Sequence, residues 1–181
     1  MSAPRLAPGT RRDLGWPAWA FTRLAALRTG TGPPALFTVL GRHRGLFRRW
    51  LWFAAGLMPG GRLPRRDTEL VILRVAAVRG SEYELRHHTS LARSAGLTGA
   101  EIDRVRDLAP ASSWPRRDAV LLDAADALVR DRDLDDARWR ALRAELSDVE
   151  CLELCLLVTH YDMLATVITT LRIPPDEPRR C

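Results

Sequence analysis

Lysine is missing from this chain, so all 28 of its Lys/Arg positions are arginine, and against 22 Asp/Glu they leave a formal net charge of +6. A basic balance of this kind permits nucleic-acid binding, but here the arginines are scattered among acids. Arg65-Arg66, Arg116-Arg117 and Arg179-Arg180 are short pairs, each beside an Asp or Glu. None of the usual nucleic-acid reading motifs accompanies them, and no nucleic-acid partner is expected. Cysteine is scarce: Cys151, Cys155 and Cys181 make an odd count, which argues against a disulfide framework and for a reducing compartment. Long apolar runs are scarce too. The longest near the start, Trp50 to Met58, is too short to cross a bilayer. Arg11-Arg12 does not open an export signal, because Pro17 and Arg23 interrupt the apolar region that should follow. The expectation is a cytoplasmic protein without a membrane partner. Period-two alternation is also missing, which excludes a sheet and leaves an all-α fold.

What is present is helical patterning punctuated by proline and glycine. Residues 1–34 read as an N-terminal arm, partly helical around Ala18 to Leu27, and Gly30-Thr31-Gly32-Pro33-Pro34 is a breaker. Residues 35–172 read as the helical domain and 173–181 as a disordered tail. Apolar stripes run through Leu36 to Leu40 and Leu46 to Ala54 before Pro59-Gly60-Gly61 ends the second. Asp67 is a candidate N-cap for the next helix. Its Leu70 to Val78 segment is apolar on nearly all sides apart from Arg74, as in a domain centre or a subunit interface. Thr98 to Glu101 and Ser147 to Glu150 match the reciprocal capping box and should start two further helices. Trp114-Pro115 opens another, Asp135 to Leu146 is short, and Asp148 to Leu171 is one long helix or two broken near Tyr161.

Directly after the apolar helix comes Gly80-Ser81-Glu82-Tyr83-Glu84-Leu85-Arg86-His87-His88. On a helix, Ser81, Glu84 and His88 share a face, with His87 adjacent and Tyr83 around the side. A carboxylate four residues before an imidazole can fix its tautomer and raise its pKa, as a base needs. The same spacing also describes an ordinary surface pair. Glu69, at the start of the apolar helix, is a second candidate acid, although antiparallel packing would separate it from the start of the next helix. An acid there also complements the helix dipole. A metal site from Glu84, His88 and His160 lacks a standard ligand spacing, so no metal is expected.

The pattern from Leu63 to Arg74, then Gly80 to Glu84, His88, Ala95-Gly96-Leu97-Thr98 and Glu101-Ile102 resembles the carboxymuconolactone decarboxylase family. That family includes the alkyl hydroperoxidase D-like proteins. Glu153-Leu154 with Tyr161-Asp162-Met163 is similar to its C-terminal helix, so the resemblance covers about Ala35 to Leu171. The peroxidase branch carries a Cys-x-x-Cys pair, a histidine four residues on, and a glutamate twelve residues before the first Cys. Carried onto this chain, these positions are Ser81 and Glu84, His88, and Glu69. Both redox groups are absent, and a serine with a carboxylate cannot reduce peroxide by thiol–disulfide exchange.

The resemblance then implies a cofactor-free, decarboxylase-like enzyme acting by acid and base on a small carboxylate or lactone. His88 is the expected proton donor rather than His87, oriented by Glu69 or Glu84. Ser81, Tyr83 and His87 would line the substrate site. Arg74 or Arg86 would bind a substrate carboxylate through a bidentate pair, if they are not simply solvated. An isomerase or cyclase on the same scaffold, and a silent binding protein, are the alternatives. A homo-oligomer, trimer or hexamer, is implied as well.

Overall fold

Proline and glycine decide where most of these helices begin and stop. The computed structural model describes residues 3–29 and 32–176, and the breaker residues Gly30 and Thr31 lie outside them. Among the described residues there are ten α-helices, one 3-10 turn and no strand. The helices are α1 (Arg11–Leu14), α2 (Trp16–Thr29), α3 (Ala35–Leu40), α4 (Arg44–Leu57) and α5 (Arg65–Arg79). They continue as α6 (Glu82–Ser94), α7 (Gly99–Arg106), α8 (Arg116–Arg130), α9 (Asp136–Glu145) and α10 (Asp148–Leu171). The all-α expectation holds. The chain divides into two compact units, residues 1–56 with 167–181, and residues 57–166.

In the first unit the N-terminal arm carries α1 and α2 and is tied to the rest of the unit by hydrogen bonds. Gly9 donates to the Thr38 carbonyl at 3.1 Å, and a Cβ at Gly9 would meet that oxygen at 2.7 Å, so only glycine allows the approach. Arg5 donates to the carbonyls of Leu171 and Thr170. Phe21, Phe37, Phe47 and Trp50 pack ring on ring at centroid distances of 5.7 to 6.4 Å. The expected disordered tail is tied down as far as Asp176, whose carboxylate accepts from Ala35 N at 2.7 Å; residues 177–181 lie outside the described set.

The second unit is built around α5. Residues Leu70 to Val75 are no more than 2 % exposed, because α6, α7 and α8 all pack on this helix. Its all-round apolar surface is therefore covered within the chain and does not itself call for a partner subunit. The helix starts earlier than expected: Pro64 occupies the cap position and Asp67 sits in the first turn, where Arg117 holds its carboxylate at 2.8 Å. Arginines fasten α5 to α8 twice more, Arg66 forked onto Asp118 and Arg74 forked onto Asp126.

Helix α10 runs unbroken through Tyr161. By length and composition it could cross a membrane, yet 61 % of its most apolar window is buried in the protein, as in a core helix. It also carries the buried polar residues Glu153, His160 and Asp162. Glu153 accepts from the backbone N–H groups of Arg62 and Leu63, and a Cβ at Gly61 would collide with its carboxylate at 2.0 Å. Val149, Leu152, Leu156 and Met163 form the exposed side of the same helix.

Candidate functional site

The site grows from the turn between α5 and α6. Gly80 takes the left-handed conformation, φ 62°, and Ser81 N reaches back to the Ala76 carbonyl at 2.8 Å. The two helices then pack side by side as a hairpin. His88 lies eight residues after Gly80 and Glu69 eleven before it, so a hairpin sets them roughly level at 1.5 Å per residue. The separation expected for antiparallel packing applies to the start of α6, not to its second turn.

Glu69 has no exposed surface, and its Oε2 lies 2.8 Å from His88 Nδ1, itself 4 % exposed. A buried carboxylate on Nδ1 fixes the tautomer with the proton there and leaves Nε2 as the basic nitrogen. Among the described residues Nε2 has no hydrogen-bond partner. Arg65 stands on the other oxygen, with Nη2 2.6 Å from Glu69 Oε1, an ion pair without hydrogen-bond alignment. Its side chain is 39 % exposed, so it covers Glu69 on the solvent side. The Tyr161 ring meets the His88 ring edge to face at 5.1 Å. Burial and the nearby Glu69 and Glu84 carboxylates push the Tyr161 phenol well up, against a smaller pull from Arg65, so it stays protonated.

Glu84 does not orient His88. Its carboxyl is buried, 2 % exposed for the residue, and neither oxygen has a hydrogen-bond partner. Burial pushes its pKa up to about 7; the Ser81 hydroxyl pulls it down and the Asp162 charge adds to the rise. The Ser81 hydroxyl lies close enough for that pull but does not meet hydrogen-bond geometry, and it too is buried without a partner. Asp162 is held by Arg79 at 2.8 Å and by Arg132.

The other expected site residues separate into two groups. Tyr83 is buried and stacks on His87 at 6.3 Å, and His87 stands edge to face with His88 at 5.3 Å. Burial, with the neighbouring His88, lowers the His87 pKa to about 4, so it stays neutral. The two arginines are committed elsewhere. Arg74 is 2 % exposed, and besides Asp126 it donates to the Ala109 carbonyl at 3.0 Å. Arg86 is exposed and paired with Glu82 at 2.7 Å. Arg65, Tyr161 and Asp162 are the participants that local pattern missed. Arg65 had a signal, since it precedes Glu69 by four residues on one helix.

The cysteines make no thiol site. Cys151 is fully buried and free; Cys155 is free, and burial with the neighbouring Cys151 pushes its thiol up, away from thiolate. Cys181 lies outside the described residues. Among the described residues no three His, Cys, Asp or Glu side chains gather as metal ligands, and Glu84, His88 and His160 do not form such a group.

The all-α chain, with a central helical hairpin that buries a His–Glu pair, has the alkyl hydroperoxidase D-like fold. Residues 44–127 match the model of the carboxymuconolactone decarboxylase family. No curated protein matches it significantly. Among solved structures, the alkylhydroperoxidase AhpD core of an uncharacterized peroxidase-related protein from Ralstonia eutropha JMP134 superposes with TM-score 0.84 at 17 % identity, over 97 % of this chain and 93 % of that one. A peroxidase-related protein from Silicibacter sp. TM1040 gives TM-score 0.76 at 16 % identity, over 97 % and 95 %. The debrominase Bmp8, crystallised as a variant with 2,3,4-tribromopyrrole, gives 0.76 at 14 % identity, over 93 % and 89 %. At these identities the likeness shows the fold.

Proposed function

We propose that the protein is a cofactor-free acid/base enzyme in which His88 moves a proton at a carbon next to a carbonyl of a small substrate. The observation that carries this reading is the buried Glu69–His88 pair, 2.8 Å apart, which leaves Nε2 unpartnered. The carboxylate holds the proton on Nδ1 and stabilises the imidazolium formed when Nε2 accepts one. In the decarboxylase form of the chemistry, a protonated His88 would serve as donor. The carbon–carbon bond to the carboxylate breaks, carbon dioxide leaves, the electron pair enters the conjugated carbonyl, and Nε2–H protonates carbon. In the isomerase form the same nitrogen removes a proton from one carbon and returns it to another.

Thiol peroxidase chemistry has no support in Ser81, Glu84, buried Cys151 or the thiol of Cys155. A homo-oligomer remains part of the proposal, and sedimentation at micromolar concentration tests it: a single species at the monomer mass of 20.3 kDa would refute it. The proton-transfer reading is tested by incubating the protein with a panel of small lactones, lactone acids and cyclic ketones in deuterium oxide. Incorporation of deuterium beside the carbonyl, or release of carbon dioxide, is expected from wild type and not from His88→Gln. Equal rates in both would refute it.

A further inference from the structure

Ser81-Glu82-Tyr83-Glu84 has the Ser/Thr-x-x-Glu pattern of a capping box. Thr98 with Glu101 forms that box at the start of α7, and Ser147 with Glu150 makes the same bonds at the start of α10. Thr10 with Asp13 closes the equivalent arrangement at α1. At α6 the box is not made. The Ser81 side chain accepts no cap hydrogen bond, its N–H goes to Ala76, and Glu84 does not reach back to it. Instead both side chains are buried, 3 % and 2 % exposed, with three polar atoms unpartnered. Three helix starts spend this pattern on their own backbone. The one at the site withholds it, leaving a buried hydroxyl and a buried carboxyl that lie close together out of hydrogen-bond geometry and are open to a ligand or a trapped water.

The surroundings set the charge of that ligand. Asp162 and Tyr161 from α10 lie near Glu84, and Tyr161 in turn lies near Glu69 and Arg65 from α5 and near His88. Arg65 is paired with Glu69, Arg79 and Arg132 both hold Asp162, and Arg74 and Arg86 are engaged elsewhere, so among the described residues no cation pairs with Glu84 itself while the Asp162 charge reaches it. A carboxylate brought against Glu84 would meet the Asp162 charge without a cation of its own. An uncharged carbonyl suits the site better, because its oxygen has two lone pairs and the site offers two hydroxyl donors, one from Ser81 and one from a protonated Glu84.

We propose that Ser81 and Glu84 form a two-donor clamp for the uncharged ring carbonyl of a lactone or cyclic ketone. The clamp binds the ground-state carbonyl and tightens on the oxygen when it becomes an enolate, as a buried neutral carboxylic acid can. This deepens the proton-transfer reading and relies on it for the reaction, but not for binding.

Equilibrium binding tests the clamp separately from the chemistry, because proton exchange at carbon regenerates the same ketone. Cyclopentanone and cyclopentanecarboxylate are titrated by ligand-observed NMR against wild type, Ser81→Ala, Glu84→Ala, Glu84→Gln and His88→Gln. The ketone should bind wild type more tightly than the anion at about pH 6, and at least roughly tenfold more weakly at about pH 8.5, where Glu84 ionises. Glu84→Gln, which keeps a donor and cannot ionise, should bind at both pH values alike. Ser81→Ala and Glu84→Ala should each weaken binding by about fivefold or more at the lower pH. His88→Gln should bind the ketone as wild type does, so that loss of proton exchange alone would bear on the reaction and not on the clamp. No ketone binding by wild type at the lower pH, as expected of a site holding only a trapped water, would overturn the proposal. So would equal binding by wild type, Ser81→Ala and Glu84→Ala, or preference for the anion.

Discussion

The starts of α6 and α7 carry the same local pattern and use it in opposite ways. At α7, Thr98 accepts from Glu101 N at 3.2 Å while the Glu101 carboxylate takes the Thr98 N–H at 2.7 Å. The exposed helix end is satisfied on the spot. At α6, Ser81 and Glu84 sit where α5 and α10 approach, and their polar atoms are turned away from the backbone. A local signal is obeyed where solvent surrounds it and overridden where tertiary packing claims the same side chains. That override marks a functional site more sharply than the number of ionisable residues does.

The largest break in the comparison comes from His88. Replacing it with Gln should lower proton exchange by at least ~100-fold, the usual worth of a positioned acid/base group, with little change in melting temperature. Glu69→Gln should lower the rate less and affect kcat more than KM, since it orients the ring without touching substrate. His43→Gln, an exposed imidazole in the first unit, should leave the rate unchanged.

Next in size is a pH effect. The folded-state pKa of Glu84 is raised to about 7, above its unfolded value, so the buried group costs stability as pH rises from the unfolded value through the folded one. The cost levels off above pH 7 on the order of 3 kcal/mol. Glu84→Gln should remove it. The variant should gain stability over wild type at about pH 8.5 and little at about pH 5, checked by urea titration at each pH. His87 and His160 act in the opposite direction. Burial lowers both to about 4, so each destabilises the fold as pH drops below the ordinary histidine value. The two histidines outweigh the one carboxyl over this range, so wild-type stability should climb from acid pH and level off near pH 7.

A smaller effect sharpens the contrast between the two helix starts. Thr98→Ala should cost about 1 kcal/mol, the usual worth of an N-cap. Ser81→Ala should cost nothing or stabilise, because its hydroxyl is buried without a partner. Equal losses at the two positions would erase the distinction. Smallest of all, Cys155→Ser should stay within roughly 0.5 kcal/mol of wild type, and neither cysteine should support dithiol-dependent peroxide turnover.

The helices were legible because their signals are local. The capping pairs at Thr98 and Ser147, the short helix expected from Asp135 to Leu146, and the proline before α8 all sit within a residue of where the pattern predicts. The start of α5 was misread because a good capping residue, Asp67, follows a proline that begins the helix sooner. The pattern pointed to Glu69, Ser81, Glu84 and His88 but not to how they pair, and Arg74 and Arg86, also expected at the site, are held by Asp126 and Glu82. Glu84 and Glu69 were both candidates to hold His88, and an i,i+4 spacing favours Glu84 locally. The approach of α5 gives that role to Glu69 instead. Tyr161 and Asp162 reach the site from α10, and no local pattern reports a contact made across so many residues.

The central claim is that the Glu69-held imidazole of His88 transfers protons at carbon. The most direct measurement is deuterium incorporation into a cyclic ketone or lactone by wild type and His88→Gln in parallel, with ketone binding measured on the same samples. The account predicts exchange by wild type, its loss by at least ~100-fold in His88→Gln, and unchanged ketone binding. Exchange by His88→Gln at the wild-type rate would contradict it.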